Sequence, residues 1–169
     1  MSNTIFLSLG SNLGDRERNL KKACEMLTIS EGFEWINASS IYVTQPVDME
    51  PGSPTFLNMV IKGQFSFTPL ELLQNIENIE KKLGREGKGD KKPRPIDIDI
   101  LLFGDDVVKT KRLMIPHPRL TKRAFVLVPL LQIEPDLVHP VSGKKLESYL
   151  KQKEVDGLIL YRESVRDHV

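Results

Sequence analysis

The chain has 169 residues, of which 40% are hydrophobic and 28% are charged, and its formal net charge is only +1. This composition predicts a soluble globular protein with one domain over residues 1–169 and a polar tail from about residue 164. The single cysteine excludes an internal disulfide, and the sequence has neither a signal-like start nor a membrane-spanning apolar run, so we expect a cytoplasmic protein.

The first elements alternate between strand and helix patterns. Residues 4–9 predict a strand, and a turn at residues 10–14 leads into a helix over residues 15–29, whose apolar side chains recur at helical spacing. The glycine-containing turn between them has two interpretations. It is either a place where an anion binds at the start of a helix or a tight structural turn.

Two more strands and a second helix follow. Residues 33–43 and 55–67 are strand-like, and the loop between them is rich in Pro and Gly. Pro69 suits the first turn of a helix, and the apolar stripe after it ends at Gly84. The next segment, residues 81–94, holds seven Lys or Arg and two acids. Its glycines do not form a P-loop, because the first glycine and the hydroxyl residue of that motif are missing.

Residues 94–103 are the most informative segment, because an apolar strand pattern there carries two carboxylates. Side chains alternate between faces along a strand, so Asp97 and Asp99 project to the same side, with their Cα atoms roughly 6.6 Å apart. The neighbouring isoleucines point to the opposite side and are predicted core. Two adjacent anions repel, and Mg²⁺ held by carboxylates and substrate phosphates would offset their charge. An edge strand with solvated acids is the alternative.

Positive charge is concentrated on both sides of this strand. Residues 107–133 hold six Lys or Arg and no acid, so that segment and residues 81–94 together contain thirteen of the 24 basic residues. Such a concentration is expected of a polyphosphate site with its metals. A solvated basic surface is the alternative for either segment.

The remaining elements complete the predicted fold. Residues 104–106 predict a hairpin turn to a further strand over residues 107–113. A helix over residues 121–133, interrupted near Pro129, and a short helix over residues 145–151 follow. The order β-α-β-β-α-β up to the carboxylate strand predicts an α+β fold with a ferredoxin-like split βαβ core. In this fold an antiparallel sheet carries two helices on one face, and the C-terminal hairpin strand and helices are additions.

Two further clusters suit ligand binding. His117 lies in a turn between two prolines, close in sequence to Arg112 and Arg123, where an imidazole would bond phosphate oxygens, although a lone histidine is more often structural. Residues 44–47 and 56–58 together offer backbone groups, an aromatic face and an amide. A flat heterocycle with its own donors and acceptors would fit such a pocket.

Five segments together resemble the 6-hydroxymethyl-7,8-dihydropterin pyrophosphokinase family of folate biosynthesis. They are residues 9–14 (LGSNLG), 56–58 (FLN), 83–85 (LGR), 93–104 (PRPIDIDILLFG) and 116–119 (PHPR). The resemblance extends over essentially the whole chain to about residue 150. It implies a magnesium-dependent transfer of the β,γ-pyrophosphoryl group of ATP to the hydroxymethyl oxygen of the dihydropterin, with release of AMP.

The resemblance also implies roles for individual residues. Asp97 and Asp99 would bind two Mg²⁺ ions. Arg85 and Arg94 would be catalytic and stabilise the transferring charge, with Arg94 favoured because it adjoins the metal strand. The residues expected at the ATP site are Leu73, Glu77, Glu80, Lys88, Ile100, Arg112, His117 and Arg123. Those expected around the pterin are Thr44, Pro46, Val47, Phe56, Asn58 and Phe125, with the two aromatic rings on its faces.

The chain departs from the family pattern in and near the basic loop. It has no Trp where many relatives carry one, and Lys91 or a neighbour stands there. Gly87 replaces a basic residue, Pro118 replaces a Tyr found in some relatives, and Asp48 stands where Gly is common. The details of loop closure are therefore expected to differ from those relatives.

The expected partners are two small molecules, ATP as co-substrate and the dihydropterin. Neither nucleic acid nor a membrane is expected, and the chain is expected to be a monomer. A nucleic-acid-binding module is a rival from another class, but such modules stack bases on exposed aromatics, and aromatic residues make up only 7% of this chain. A metal-dependent phosphohydrolase is a second rival, which would release phosphate from ATP without needing a pterin.

Overall fold

The computed structural model describes residues 1–46, 49–87, 91–150 and 158–162. Within these residues the strands are β1 (Asn3–Ser11), β2 (Phe33–Ala38), β3 (Ile41–Thr44), β4 (Phe56–Phe65), β5 (Asp97–Phe103), β6 (Val108–Lys109), β7 (Met114–Ile115) and β8 (Ile159–Arg162). The helices are α1 (Arg16–Thr28), α2 (Pro69–Lys82), α3 (Ala124–Ile133) and α4 (Leu146–Leu150).

Six strands form one antiparallel sheet in the order β5-β1-β4-β3-β8, and β2 pairs with the part of β4 that β3 leaves open. β2 pairs with residues 61–65 of β4, whereas β3 pairs with residues 56–58. Because β2 and β3 lie along consecutive halves of the same edge, they act as one interrupted strand. The sheet then has the split βαβ arrangement. The predicted α+β fold with a ferredoxin-like core is confirmed.

Two apolar cores lie on opposite faces of the sheet. α1 and α2 pack on one face, where Leu20, Cys24 and Ile76 are fully buried with Leu7 and Ile61 of the sheet. α3 and α4 pack on the other face with a smaller apolar cluster. The two helices expected on one face are present there, and the two later helices cover part of the opposite face.

β5 has the predicted alternation of faces over the carboxylate segment. Ile98 and Ile100 belong to the core beneath α1 and α2, whereas Asp97 and Asp99 lie on the opposite face. The register against β1 then shifts by one residue, which indicates a β-bulge, so the next two leucines both pack on the face that α3 covers. The alternation therefore holds where the candidate site needs it.

Local signals fix both ends of α2, from which the chain enters the site. Thr68 Oγ1 accepts a hydrogen bond from the backbone N–H of Glu71, and Glu71 Oε2 accepts one from the N–H of Thr68. This capping box is followed by Pro69 at the start of the helix, as predicted. Lys81 and Lys82 lie in the last turn, where the helix dipole favours positive charge.

The single strand expected over residues 33–43 is interrupted. Ser39 and Ser40 separate β2 from β3, and the backbone N–H of Ser40 donates to Gln132 Oε1 of α3 at 2.9 Å. A side chain from a distant helix thus takes a backbone group that a continuous strand would use in its ladder. The sequence pattern could not reveal this partner, because it lies 92 residues away.

The further strand expected over residues 107–113 is present only in part, as the two residues of β6. The turn before it is present, because the N–H of Asp106 donates to the carbonyl of Phe103. The turn does not form the expected hairpin, because β6 pairs with β7 in a separate sheet and not with β5. Residues 109–112 are all polar, so they offer no apolar side chain to anchor a longer strand on the core.

The third helix differs from its prediction at the start and at Pro129. Leu120–Lys122 is a separate 3-10 turn, and the extended backbone of Arg123 divides it from α3. Pro129 lies within α3 and does not interrupt it. The true break therefore lies six residues earlier than the proline, at a residue whose conformation the sequence does not signal.

β8 was not predicted. It pairs with β3, and α1 meets it through Glu17, which forms an ion pair with Arg162 and accepts a hydrogen bond from the Tyr161 hydroxyl at 3.4 Å. The polar tail expected from about residue 164 lies outside the described residues. No helix in the part of the chain that the structure describes is long and apolar enough to cross a membrane.

Candidate active site

The two carboxylates of β5 lie on a polar part of the sheet surface. Pairing with β1 places Gly10 beside Asp97 and Ser8 beside Asp99, so small residues flank both acids. Both carboxylates line an open cavity of about 540 Å³. β5 is an edge strand of the described sheet, as the alternative interpretation required, but the Asp97 side chain is only 24% exposed and is paired with arginine. These acids are therefore not ordinary solvated groups.

Arg85 binds Asp97 and fixes the entrance to β5. Its Nη1 donates to Asp97 Oδ1 at 2.6 Å and to Glu80 Oε2 at 2.9 Å, and its Nε donates to the carbonyl of Gly87 at 2.6 Å. The same Glu80 oxygen accepts a hydrogen bond from the N–H of Ile98 at 3.0 Å. The last turn of α2 is thereby joined to β5 through a buried guanidinium.

Electrostatics keep Arg85 charged in spite of its burial. Burial acts to lower the pKa of Arg85, but the negative charges of Asp97, Glu80 and Asp99 outweigh it, so the pKa is raised above its ordinary value. Nearby negative charges stabilise the protonated, charged form of a buried cation. Arg85 is thus a fixed positive charge beside the carboxylates.

Arg94 is the second cation beside Asp97. Its Nη1 lies 3.6 Å from Asp97 Oδ2, and its Nε donates to the carbonyl of Lys92 at 3.0 Å. The residue is 9% exposed and lines the same cavity as the acids. Asp97 is therefore flanked by two guanidinium groups, one on each carboxylate oxygen.

The far wall of this first cavity carries the amide and the aromatic rings expected for a heterocycle. Asn58 Nδ2 donates to Thr44 Oγ1 at 2.5 Å, which fixes the orientation of the amide. Phe56 and Phe125 line the same cavity. Gly10 leaves the necessary space, because a Cβ there would lie 2.6 Å from Asn58 Oδ1 and 3.3 Å from the Phe56 ring.

A second cavity lies on the other side of Asp99. It has a volume of about 590 Å³, and the expected ATP-site residues Leu73, Ile100, Arg112 and His117 line it. Lys111 adds another cation, whereas Ile98 and Leu113 add apolar surface. Asp99 lines both cavities, so a ligand in one would meet a ligand in the other at this carboxylate.

His117 is held by its backbone and by one ring nitrogen. Its N–H donates to the carbonyl of Leu101 at 3.0 Å, and its Nδ1 accepts a hydrogen bond from the N–H of Arg119 at 3.1 Å. Burial lowers the pKa of His117, and the nearby Arg123 adds to this, while Asp99 opposes it. A neutral ring whose Nδ1 is an acceptor carries its proton on Nε2, which suits donation to a phosphate oxygen.

The sequence matches a known protein family over both cavities. The family model described as 7,8-dihydro-6-hydroxymethylpterin-pyrophosphokinase matches residues 6–135, which include every residue that lines either cavity. The chain belongs to this family. The resemblance inferred from the five sequence segments is confirmed.

Individual relatives agree with this assignment. The chain is 44% identical over 146 residues to the 2-amino-4-hydroxy-6-hydroxymethyldihydropteridine pyrophosphokinase of Aquifex aeolicus, covering 86% of this chain and 89% of that protein. It is 43% identical over 148 residues to a folic acid synthesis protein of Pneumocystis carinii, covering 88% of this chain and 20% of that longer protein.

A solved structure has the same fold. The HPPK-DHPS protein of Plasmodium falciparum, crystallised as the wild type with pteroate, superimposes with a TM-score of 0.70 at 18% identity. The match covers 90% of this chain and 42% of the Plasmodium chain. The fold predicted from the order of strands and helices is therefore also that of a structure carrying the family's name.

Most residues expected at the pyrophosphokinase site lie around the two cavities, but three of the expected ATP-site residues do not line the second cavity. Glu77 is near the second cavity, where its carboxylate is 3.4 Å from Arg112. Glu80 is buried, with its carboxylate bonded to Arg85 and β5. Arg123 lines the first cavity, where its guanidinium lies 5.4 Å from the centre of the Phe125 ring. Their contacts with a nucleotide stay predictions.

Three further expected residues cannot be placed in either cavity. Pro46 is described but is absent from both linings. Val47, expected at the pterin, and Lys88, expected at the phosphates, lie outside the described residues, as does Asp48 among the departures from the family pattern. Their roles also stay predictions. Pro118, another departure, does line the second cavity.

Four residues that line the first cavity of the pyrophosphokinase were not among the residues expected around the pterin. They are Ser8, Gly10, Gln45 and Met49, although Gln45 lies within the segment 44–47 that was expected at the pocket. A signal for Ser8 and Gly10 existed, because these two alternate as the small or polar positions of an otherwise apolar strand. Gln45 and Met49 follow β3 in an irregular loop, where no periodicity marks them.

The donor set around Asp97 and Asp99 suits magnesium in this family. Among the described residues, no group of three or more His, Cys, Asp or Glu side chains could hold a metal ion by itself. Mg²⁺ is usually bound through one or two carboxylates together with substrate phosphates, so a pair of acids between two cavities fits that ion. A metal that needs a full set of protein ligands fits these residues poorly.

Proposed function

We propose how this chain carries out its family's reaction, the transfer of pyrophosphate from ATP to the hydroxymethyl group of 6-hydroxymethyl-7,8-dihydropterin in folate biosynthesis. The dihydropterin binds in the first cavity and ATP binds in the second. The products are AMP and the pterin diphosphate. The single observation that carries this proposal is that the two cavities meet at Asp99, with Asp97 on the same strand face.

The shape of the site favours a reaction between two bound molecules. An amide fixed by Thr44 and two aromatic rings suit the flat, polar pterin, whereas His117, Arg112 and Lys111 suit phosphates. Holding acceptor and donor side by side converts a bimolecular step into one within a single complex. Positioning of the two substrates is thus the first contribution of the protein.

Charge is the second contribution. We assign two Mg²⁺ ions to Asp97 and Asp99, and bound magnesium would supply positive charge to the triphosphate oxygens at the point where the cavities meet. Arg85 and Arg94 flank Asp97 and extend this positive region toward the transferring group. Transfer of this kind needs little covalent help from a protein, so no side-chain nucleophile has to be invoked.

The reaction makes one bond to phosphorus and breaks one. The hydroxymethyl oxygen attacks the β-phosphorus and its proton is released to water, the bond from that phosphorus to the oxygen bridging the α-phosphate breaks, and AMP leaves with the bonding electrons. Arg94 lies in the pterin cavity beside Asp97, so we assign it the role of stabilising the negative charge that builds up during this step.

We further propose that the chain acts as a cytoplasmic monomer without nucleic-acid or membrane partners.

Phosphorus NMR of a reaction with the dihydropterin, ATP and magnesium tests the proposal. We expect signals of AMP and a pterin diphosphate, and no reaction after magnesium is removed with a chelator. A reaction without the dihydropterin serves as the control, because a phosphohydrolase would consume ATP there as well. Appearance of ADP with a pterin monophosphate would contradict attack at the β-phosphorus.

A further inference from the structure

Asn12, in the turn after β1, is bonded to both loops that border the first cavity. It is 1% exposed, although asparagine is usually a surface residue. Its side chain and backbone have partners at Arg94, which is 82 residues away, and at Pro54, which is 42 residues away. A buried amide with partners in two distant loops calls for an explanation, because a turn alone needs only local bonds.

The bonds to Arg94 hold its peptide from both sides. Asn12 Oδ1 accepts a hydrogen bond from the Arg94 N–H at 2.8 Å, and the Asn12 N–H donates to the Arg94 carbonyl at 3.1 Å. Both bonds are buried from bulk water or nearly so, which makes their loss costly. The backbone from which the Arg94 guanidinium extends toward Asp97 is thereby fixed to the end of β1.

The bond to Pro54 reaches the loop on the pterin side. Asn12 Nδ2 donates to the Pro54 carbonyl at 3.3 Å, and Met49 of the same loop lines the first cavity. The two loops also meet directly, since the N–H of Glu50 donates to the Lys91 carbonyl at 3.1 Å. A side chain that joins all three segments must both donate and accept, which a carboxamide can do and an aliphatic side chain cannot.

These contacts also decide between the two interpretations of the turn at residues 10–14. The Asn12 N–H is used by Arg94, and the start of α1 is capped by Asp15, whose carboxylate accepts a hydrogen bond from the N–H of Arg18 at 3.1 Å. A carboxylate at that position also opposes an anion. The turn is a structural one, and its function is indirect.

We propose that Asn12 is a positioning residue of the reaction, which holds Arg94 in its catalytic place and ties that loop to the pterin loop. The inference rests on the proposed role of Arg94. Asn12 itself lines neither cavity, so its effect on turnover passes through its bonds to Arg94. Misplacement of a catalytic group by about 1 Å costs up to a hundredfold in rate, so the effect is large enough to measure.

A double-mutant cycle on kcat tests this. We expect Asn12→Ala to lower kcat by about tenfold to a hundredfold in the parental chain, but by less than about twofold when Arg94→Ala is already present. Asn12→Asp keeps an oxygen for the Arg94 N–H but loses the donor to Pro54. It should keep kcat near the parental value and raise the KM for the dihydropterin.

Two controls separate positioning from general stability. Asn19→Ala removes a side-chain bond of 2.9 Å to the Leu13 carbonyl in the same turn, without any contact to Arg94, and should leave kcat unchanged. Hydrogen exchange of the Arg94 amide gives a readout besides activity, since Asn12→Ala should speed it and Asn12→Asp should not. If Asn12→Ala fails to fold, Asn12→Ser takes its place in the same measurements. The serine side chain stays polar, but its hydroxyl ends one bond short of the carboxamide oxygen and so does not restore the bond to the Arg94 N–H.

The outcomes distinguish this inference from the proposed function. If Arg94→Ala lowers kcat while Asn12→Ala leaves it unchanged, or if both losses multiply fully in the double variant, Asn12 does not act through Arg94 and the inference is wrong. If Arg94→Ala itself has parental kcat, the assigned role of Arg94 fails first, and the inference fails with it. Faster exchange of the Arg94 amide in Asn12→Ala, together with coupled losses in kcat, would support both.

Discussion

At the scale of single residues, Asp97 lies between two cations that the strand pattern does not show. Arg85 contacts one carboxylate oxygen at 2.6 Å, and Arg94 lies 3.6 Å from the other. From the sequence alone, two acids on one strand face should repel, and removing one charge should leave stability unchanged or raise it. The arginines change that expectation, because Asp97 now compensates the buried guanidinium of Arg85.

We therefore predict different effects on activity and stability for the metal-site carboxylates. Asp97→Asn and Asp99→Asn should each lower turnover by roughly a hundredfold or more, because the charge proposed to anchor magnesium is lost. Asp97→Asn should also lower the free energy of unfolding by about 1–3 kcal/mol, since a charged hydrogen bond to Arg85 is weakened. Turnover measured against magnesium concentration, together with thermal melts, checks both expectations.

Asp105→Asn is the matched control for this pair. Asp105 is an exposed acid in the turn that follows β5, so turnover should be parental and stability should change by no more than about 0.5 kcal/mol. Near-parental turnover of both Asp97→Asn and Asp99→Asn would end the metal-site assignment. If the melting temperature of Asp97→Asn equals or exceeds that of the parent, the ion pair with Arg85 contributes nothing to stability.

At the scale of elements, α2 connects a local stability signal to the site. Its capping box at Thr68 and Glu71 fixes the first turn, and its last turn supplies Glu80 to Arg85. One backbone and one side-chain hydrogen bond from Thr68 lower the pKa of Glu71 below its ordinary value of 4.5, and the backbone bond is the larger cause. The stability of the first turn of this helix therefore depends on pH.

Changes in the capping box should alter stability without altering chemistry. Thr68→Ala should lower the free energy of unfolding by about 1 kcal/mol, as loss of a helix cap usually does, with kcat unchanged. Because the folded-state pKa of Glu71 is lowered, its contribution is present above pH 4.5 and is lost as the pH falls through the lowered pKa. Glu71→Gln should show less of this acid-dependent loss in chemical denaturation at several pH values. An equal acid dependence in the parent and in Glu71→Gln would contradict the assignment.

At the scale of the whole molecule, the C-terminal strand β8 forms the edge of the sheet next to β3, whose last residue lines the first cavity. β8 pairs with β3, which ends at Thr44, and β8 lies beyond residue 135, where the match to the family model ends. Without β8, the backbone groups of β3 on that side would have no strand partner among the described residues. Exposed edges of this kind promote association between chains.

Deleting β8 should therefore weaken the fold and favour aggregation. Removal of residues 158–169 should lower the free energy of unfolding by about 1–2 kcal/mol, or the melting temperature by roughly 2–8 °C. Removal of residues 163–169 alone is the matched control, since it keeps the strand and its contacts with Glu17, and it should melt like the parent. Thermal melts with light scattering check both chains. Equal behaviour of the two truncations would show that the strand pairing is not stabilising.

The sequence by itself determined the elements and the chemistry that local patterns encode. Alternation along β5 put Asp97 and Asp99 on one face, helical spacing and Pro69 gave α1 and α2, and the five motif segments gave the family. Strand alternation, helix periodicity and capping all depend on residues a few positions apart, so they can be read directly from the chain. The same locality explains why the core isoleucines beside the acids were placed correctly.

Only the tertiary structure decided which distant residues meet at those elements. It paired Ser8 and Gly10 with the acids, broke one expected strand through Gln132, turned Glu80 inward to Arg85, and added β8. Such pairings depend on strand register and on the packing of segments far apart in the chain, where many arrangements satisfy the same local pattern. The site therefore owes its residue types to the sequence and their mutual contacts to the fold.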